Sequence, residues 1–214
     1  LESTMVMTLT NKKGKSQTSI IKSITADGGR KQIIWFLEPK MNQGVSLLKI
    51  EHENKPDDMR LWLPAFKRIN RITTKKKSSS FMKSDLSYED LYNRNINEYN
   101  FILIEKEEND NSNYYILESI PNDKKNSGYS KHISLIEKKT LRPIKEESFD
   151  KSGKLLKTKE YSFNRIGDYD VLTSIKVINV QKDHSTVINF EDIIIDAKIS
   201  NNLFQEMSLK RLPK

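Results

Sequence analysis

The chain has 214 residues, of which 31% are charged and 36% hydrophobic, with seven glycines and six prolines; this balance excludes collagen-like and low-complexity sequence and fits an ordered domain with its own core. It has no cysteine, which excludes disulfides, thiolate nucleophiles and cysteine-ligated metals. The formal charge is +8, and the longest purely apolar run, Ile33 to Leu37, falls far short of the roughly 20 residues that a membrane-spanning helix needs.

Only three alanines stand against 24 isoleucines, and period-two alternation recurs from end to end, the pattern of half-buried strands. In the first segment Met5, Met7 and Leu9 share one face and Thr4, Thr8 and Thr10 the other. Similar runs are predicted near 15–25, 30–37, 44–52, 59–66, 99–106, 113–120, 131–137, 143–149, 154–164, 171–180 and 184–195. Hairpin chemistry separates them: Lys13-Gly14, Asp27-Gly28-Gly29, Asn54 to Asp57, Asn109-Asp110-Asn111 and Asp150 to Gly153. Sequential antiparallel pairing follows, with no composition break to act as a linker, so residues 1–214 are expected to form a single domain. The main interruption is 67–98. There Lys67 to Ser80 is expected as a loop, and Ser84 to Leu91 as a short helix capped by Ser84 or Asp85, with Phe81, Met82, Tyr88 and Leu91 as its apolar side. A second helical turn is expected over Asn201 to Met207. A large antiparallel sheet must close or be covered, and the single long insertion favours a curled, incomplete β-barrel of about eleven strands with a helical plug over a sandwich.

Tests for chemistry are largely negative. His52, His132 and His184 each stand alone in a strand-like segment, with no second histidine or acid at metal-ligand spacing. No serine lies in a G-x-S-x-G elbow and no glycine-rich stretch matches a phosphate cradle. Adjacent acids such as Asp57-Asp58, Glu107-Glu108 and Glu146-Glu147 point to opposite faces of a strand and cannot work as a pair. Asp85, Glu89 and Asp90 are expected to serve helix electrostatics and to pair with the basic run. Neither an enzyme nor a cofactor is expected. The excess charge is concentrated between Met59 and Tyr92, where eight bases face three acids. Such a patch suits anionic lipid, an acidic partner or nucleic acid; without interleaved exposed aromatics or a recognisable module, nucleic acid is not the expected partner.

Two stretches carry a resemblance. Asp57-Asp58-Met59-Arg60-Leu61-Trp62-Leu63-Pro64-Ala65-Phe66-Lys67-Arg68-Ile69-Asn70-Arg71-Ile72, followed by Ser80-Phe81-Met82-Lys83-Ser84-Asp85-Leu86-Ser87-Tyr88-Glu89-Asp90-Leu91, resembles the outer membrane lipoprotein-sorting protein family, in the branch of the LolA-like superfamily associated with RND-type exporters. Phe36 to Pro39, Gly44, Glu146 to Gly153 and Asn201 to Phe204 agree more weakly. The resemblance implies a periplasmic, half-open barrel whose apolar face, lidded by helices, binds lipid or the acyl chains of lipoproteins for transfer toward the outer membrane. The alternative is an interaction module of an RND-type exporter that carries no lipid. Lys83 stands where the family usually has glycine, so the loop is expected to bend differently. The start at Leu1 is expected to reflect a removed signal segment or an outer-membrane lipid anchor, and with no N-terminal helix the lid is expected to be partial. The expected lipid-lining residues are Met7, Trp35, Leu37, Leu47, Leu61, Leu63, Phe81, Met82, Tyr88 and Leu91, residues that would equally make a packed core. Lys67, Arg68, Arg71, Lys75, Lys76 and Lys77 are the expected contacts to head groups, a membrane surface or an exporter.

Overall fold

The computed structural model describes residues 1–104 and 113–213. The end of the expected strand at 99–106, the Glu107-Glu108 pair and the Asn109 to Asn111 turn lie outside them. Thirteen strands follow one another: β1 Glu2–Thr10, β2 Ser16–Ala26, β3 Lys31–Glu38, β4 Ser46–Ile50, β5 Asp58–Leu63, β6 Arg68–Arg71, β7 Tyr99–Ile104, β8 Tyr114–Pro121, β9 Lys131–Glu137, β10 Pro143–Phe149, β11 Leu155–Ile166, β12 Tyr169–Asn179 and β13 His184–Ile194. Their order is β6-β5-β4-β3-β2-β1-β13-β12-β11-β10-β9-β8-β7, so the sheet ends at β6 and β7 and does not close. Short 3₁₀ turns are the only helical elements among the described residues. The architecture is mainly β, as expected. The strand beyond those expected is β6, which forms inside the basic stretch because Arg68 to Arg71 pair with Leu63 to Arg60 across a tight turn at Pro64–Phe66.

The chain falls into two compact units, residues 1–9, 16–76 and 188–214, and residues 10–15 and 77–187. In the first, period-two alternation fixes β1: Ser3, Met5 and Met7 are buried while their neighbours are half-exposed. In β3 the alternation gives way to four consecutive buried residues, Ile33 to Phe36, which means that both faces of that strand are covered. One face carries Ile24, Ile33, Trp35 and Leu48, and the C-terminal segment covers it with Phe204 and Leu209. Two hydrogen bonds hold that segment: Trp35 Nε1 donates to the Ser208 carbonyl at 3.1 Å and the Ser46 hydroxyl to the Leu209 carbonyl at 2.6 Å. The expected turn over Asn201 to Met207 appears as two 3₁₀ pieces, Asn201–Leu203 and Glu206–Lys210.

In the second unit the expected helix over Ser84 to Leu91 does not form. The Ser84 hydroxyl donates to the Phe81 carbonyl, the Asp85 amide donates to Thr186 Oγ1 of β13, and the Ser87 amide donates to the Asp90 carboxylate. Short polar side chains have captured the groups a helix would need. Only Glu89–Leu91 is helical, as one 3₁₀ turn.

Candidate functional site

The expected lipid-lining residues separate onto two faces of the first unit. Cross-strand pairs place Ile34, Leu47 and Leu61 on one face, and Ile33, Leu48, Trp35 and Ser46 on the other. By the same parity Leu37 lies with Trp35 under the C-terminal segment, and Leu63 lies with Leu61. The Lys22–Glu2 ion pair and the Thr8–Thr18 contact put the even residues of β1 on the C-terminal-segment face, so Met7 belongs with Leu47. Residues 35 and 37 are therefore not part of one set with 7, 47, 61 and 63, because strand parity divides them. The face of Met7 also presents Ile21, Ile34, Phe36 and Met59, all at most 2% exposed. Phe81 and Tyr88, in the second unit, are buried against each other edge to face, ring centroids 5.8 Å apart, while Met82 and Leu91 are half-buried.

The basic candidates also divide. Lys67 and Arg68 are exposed beside the exposed Phe66, Arg71 reaches Asp58 at 3.4 Å, and Lys75 and Lys76 project from the Thr74–Lys76 turn. Lys77 instead lies over the Tyr92 ring at 4.2 Å.

What the sequence did not disclose is a buried ionic cluster in the second unit. Asp90 accepts from Lys159 at 2.5 Å and from Lys157 at 3.0 Å, and Glu146 accepts from Lys159 at 2.9 Å and from both terminal nitrogens of Arg94 at 2.6 and 2.8 Å. The Asp90, Glu146, Lys157 and Lys159 side chains are all 4% exposed or less. Burial opposes ionisation of Asp90, but Lys159 and Lys157 outweigh it and hold the carboxyl well below its ordinary range. Burial likewise opposes the charge on Lys159, and the Asp90 and Glu146 carboxylates outweigh it and hold the ammonium well above its ordinary range. Lys157 goes the other way, since its burial is only partly offset by Asp90. Burial, then the Arg94 charge, pushes His132 down to about 3. At neutral pH its imidazole is uncharged, and its 3.5 Å approach to Glu146 is not an ion pair. Asp90 was expected to pair with the basic run; the register of β10 against β11, Glu146 opposite Lys159, explains why its partners lie elsewhere. Nothing short of that register would reveal the cluster, for its bonded partners are 13 to 69 residues apart.

His184 was expected to stand alone, yet its Nδ1 meets Asp85 Oδ2 at 2.7 Å, and the same oxygen accepts the Thr186 hydroxyl at 2.7 Å. These two groups border a cleft of about 460 Å³ within the second unit. The Asn11–Lys12 turn, the loop from Ser78 to Ser87 and the turn after Asn179 form its walls. The Ser80 and Ser84 hydroxyls are already donated to main-chain carbonyls, and that of Ser87 to Asp90, so the cleft offers charge and shape rather than an activated nucleophile. Among the described residues no group of three or more histidines, cysteines or acids is placed to hold a metal ion.

The open ladder of antiparallel strands falls in the LolA-like class of folds. A candidate outer membrane lipoprotein-sorting protein domain from Vibrio parahaemolyticus matches with 33% identity and a TM-score of 0.87 over 98% of this chain and 91% of its own. A DUF1329 family protein from Desulfovibrio piger matches with 28% identity and a TM-score of 0.85 over 97% and 90%. A LolA superfamily protein from Nitrosomonas europaea, at 19% identity and a TM-score of 0.76 over 97% and 90%, shares the fold. A family model described only as an uncharacterized protein matches residues 28–211, and no curated protein sequence matches. The chain belongs to this outer membrane lipoprotein-sorting, DUF1329 family.

Proposed function

We propose that this protein is a non-enzymatic periplasmic carrier, acting as a single domain over 1–214, that shelters lipid or the acyl chains of lipoproteins on their way toward the outer membrane. The observation that carries the reading is the apolar face of the first unit, where Met7, Ile34, Phe36, Leu47, Met59 and Leu61 form a surface rich in sulfur and branched carbon, Met59 and Leu61 coming from the stretch that carries the resemblance. Burying an acyl chain is worth roughly 0.8 kcal/mol per CH₂, so a chain of about sixteen carbons needs on the order of 10 kcal/mol of shelter to cross water. Flexible methionines suit a lining that must accept and then release such a guest. Leu63 would extend the lining, Phe81, Met82, Tyr88 and Leu91 would offer a separate apolar patch within the second unit, and Lys67, Arg68, Arg71, Lys75 and Lys76 would meet anionic head groups or a membrane partner.

Native mass spectrometry of protein purified from cells tests the reading. Co-purifying lipid masses are expected, and Leu61→Glu should remove them while circular dichroism stays that of the parent. A clean mass for the bare chain, in protein that then pulls down an RND-type exporter, would replace the carrier with an interaction module.

A further inference from the structure

The cleft of the second unit gathers lysines from turns, which differ from the lysines of that unit's strands. Lysines on its strands are matched: Lys131 with Glu118 at 2.7 Å, Lys145 with Glu147 at 3.3 Å, Lys159 with Asp90 and Glu146. Around the cleft, Lys12, Lys83 and Lys182 are exposed, and among the described residues no acid pairs with any of them. The single carboxylate in the described lining, Asp85, has Oδ2 committed to His184 and Thr186, and Lys157, the fourth lysine of the lining, is balanced by Asp90. Three uncompensated positive charges thus share one concavity, where low-dielectric walls focus their field.

Each lysine is delivered by a turn with its own fixing device. Asn11 Oδ1 accepts the amides of Lys13 and Lys15, which shapes the β1–β2 turn around Lys12. Asn179 Oδ1 accepts the amides of Gln181 and Lys182 and sets the β12–β13 turn. Between them Met82 and Lys83 hold φ values of 48° and 66°, two successive left-handed residues without a glycine. Glycine would adopt that conformation freely. The loop makes a turn that favours glycine while carrying a lysine, a strained placement of the kind that persists at binding sites.

We propose that this cleft is a phosphate-binding site, in which Lys12, Lys83 and Lys182 neutralise a phosphate group. His184 stands beside it, its Nδ1 held by Asp85. Lysine ammonium groups act on phosphate as mobile point charges and need no glycine-rich cradle, and the volume falls within the ordinary range for small-ligand pockets. The phosphate belongs either to a free ion or to an esterified head group. The proposal stands apart from the carrier reading, since Lys12, Lys83, Lys182 and His184 have no part in that reading, and it holds whether or not acyl chains co-purify.

The test is a nuclear magnetic resonance titration of the isotope-labelled full chain with inorganic phosphate, with glycerol 3-phosphate, and with sodium chloride at matched ionic strength. Saturable shifts at the amides of Lys12, Lys83, Lys182 and His184 are expected with at least one phosphate probe and not with chloride. Tighter binding of glycerol 3-phosphate would identify an ester ligand, and tighter binding of inorganic phosphate a free ion; either supports the site. The Lys12→Gln/Lys83→Gln/Lys182→Gln variant should lose at least tenfold in affinity, whereas Lys55→Gln/Lys139→Gln/Lys198→Gln, which removes the same charge elsewhere, should lose less than twofold. Lys83→Gly alone should weaken binding several-fold without lowering the thermal midpoint, which separates loss of charge from loss of fold. Shifts that only track ionic strength, equal losses in the two triple variants, or shifts centred on Lys67 to Lys77 would overturn the proposal.

Discussion

The two units solve the interior problem with opposite materials. The first fills it mostly with carbon: both faces of β3 are buried, and Lys22–Glu2 keeps side chains 21% and 29% exposed, although the single pair Lys49–Glu51 is drawn in to 4% and 12%. The second encloses charge, with two lysines, an aspartate and a glutamate almost wholly removed from water and an arginine locked on the glutamate by two hydrogen bonds. An apolar core tolerates rearrangement when volumes are kept, whereas a buried charge network holds only while every partner is present. The contrast teaches that the first unit is the one more tolerant of repacking, and the second the one that fixes positions.

The largest test of that contrast removes the hub. Asp90→Ala leaves Lys157 and Lys159 buried without their shared carboxylate and should cost about 3–5 kcal/mol in urea unfolding. A loss below about 1 kcal/mol would mean that water enters the cluster and that the two units do not differ as described.

Acid should come next in size. His132 is held neutral down to about pH 3 in the folded chain, while the unfolded chain takes up the proton near its ordinary 6.5. The unfolded state therefore binds more protons between those values, and stability falls with acidification at up to about 1.4 kcal/mol per pH unit. Asp90 and Glu146, both held low, add to the loss once pH drops through the ordinary carboxylate range toward their depressed values. His132→Gln should flatten the slope between pH 6 and 4.5, as read by urea midpoints (about these pH values). An unchanged slope would place the acid sensitivity elsewhere.

The smallest effect should come from Lys22→Met in the first unit, where an exposed pair is broken. A change of about 0–1 kcal/mol is expected. A loss comparable to that of Asp90→Ala would erase the distinction.

Much of the fold is legible because its rules are local. Alternation along β1 announced which residues are buried, and Asp150, whose side chain accepts the amides of Ser152 and Lys154 ahead of Gly153 at φ 78°, made its hairpin visible in four residues. Three features escaped for physical reasons. Serines and aspartates between 84 and 90 have helix-like spacing, but their side chains bind main chain and β13 instead. β6 is too short and too basic to show an apolar period, and exists because β5 offers it an edge. The site residues divided because parity within a strand is readable, while parity between strands depends on turn lengths and bulges, such as the shift between Ile20 and Ile21. The charged cluster and the cleft, assembled from distant turns and strands, need that same long-range register.

The clasp of the C-terminal segment on β3 and β4 has a consequence for biogenesis. The hydrogen bond from Ser46 to Leu209 spans 163 residues and that from Trp35 to Ser208 spans 173. During synthesis the clasped side of β3 and β4 must therefore wait, uncovered, until Ser208 and Leu209 have emerged. Long-range closure of this kind is slow and exposes nascent chains to clumping, so β3 and β4 stay vulnerable until that distant contact forms.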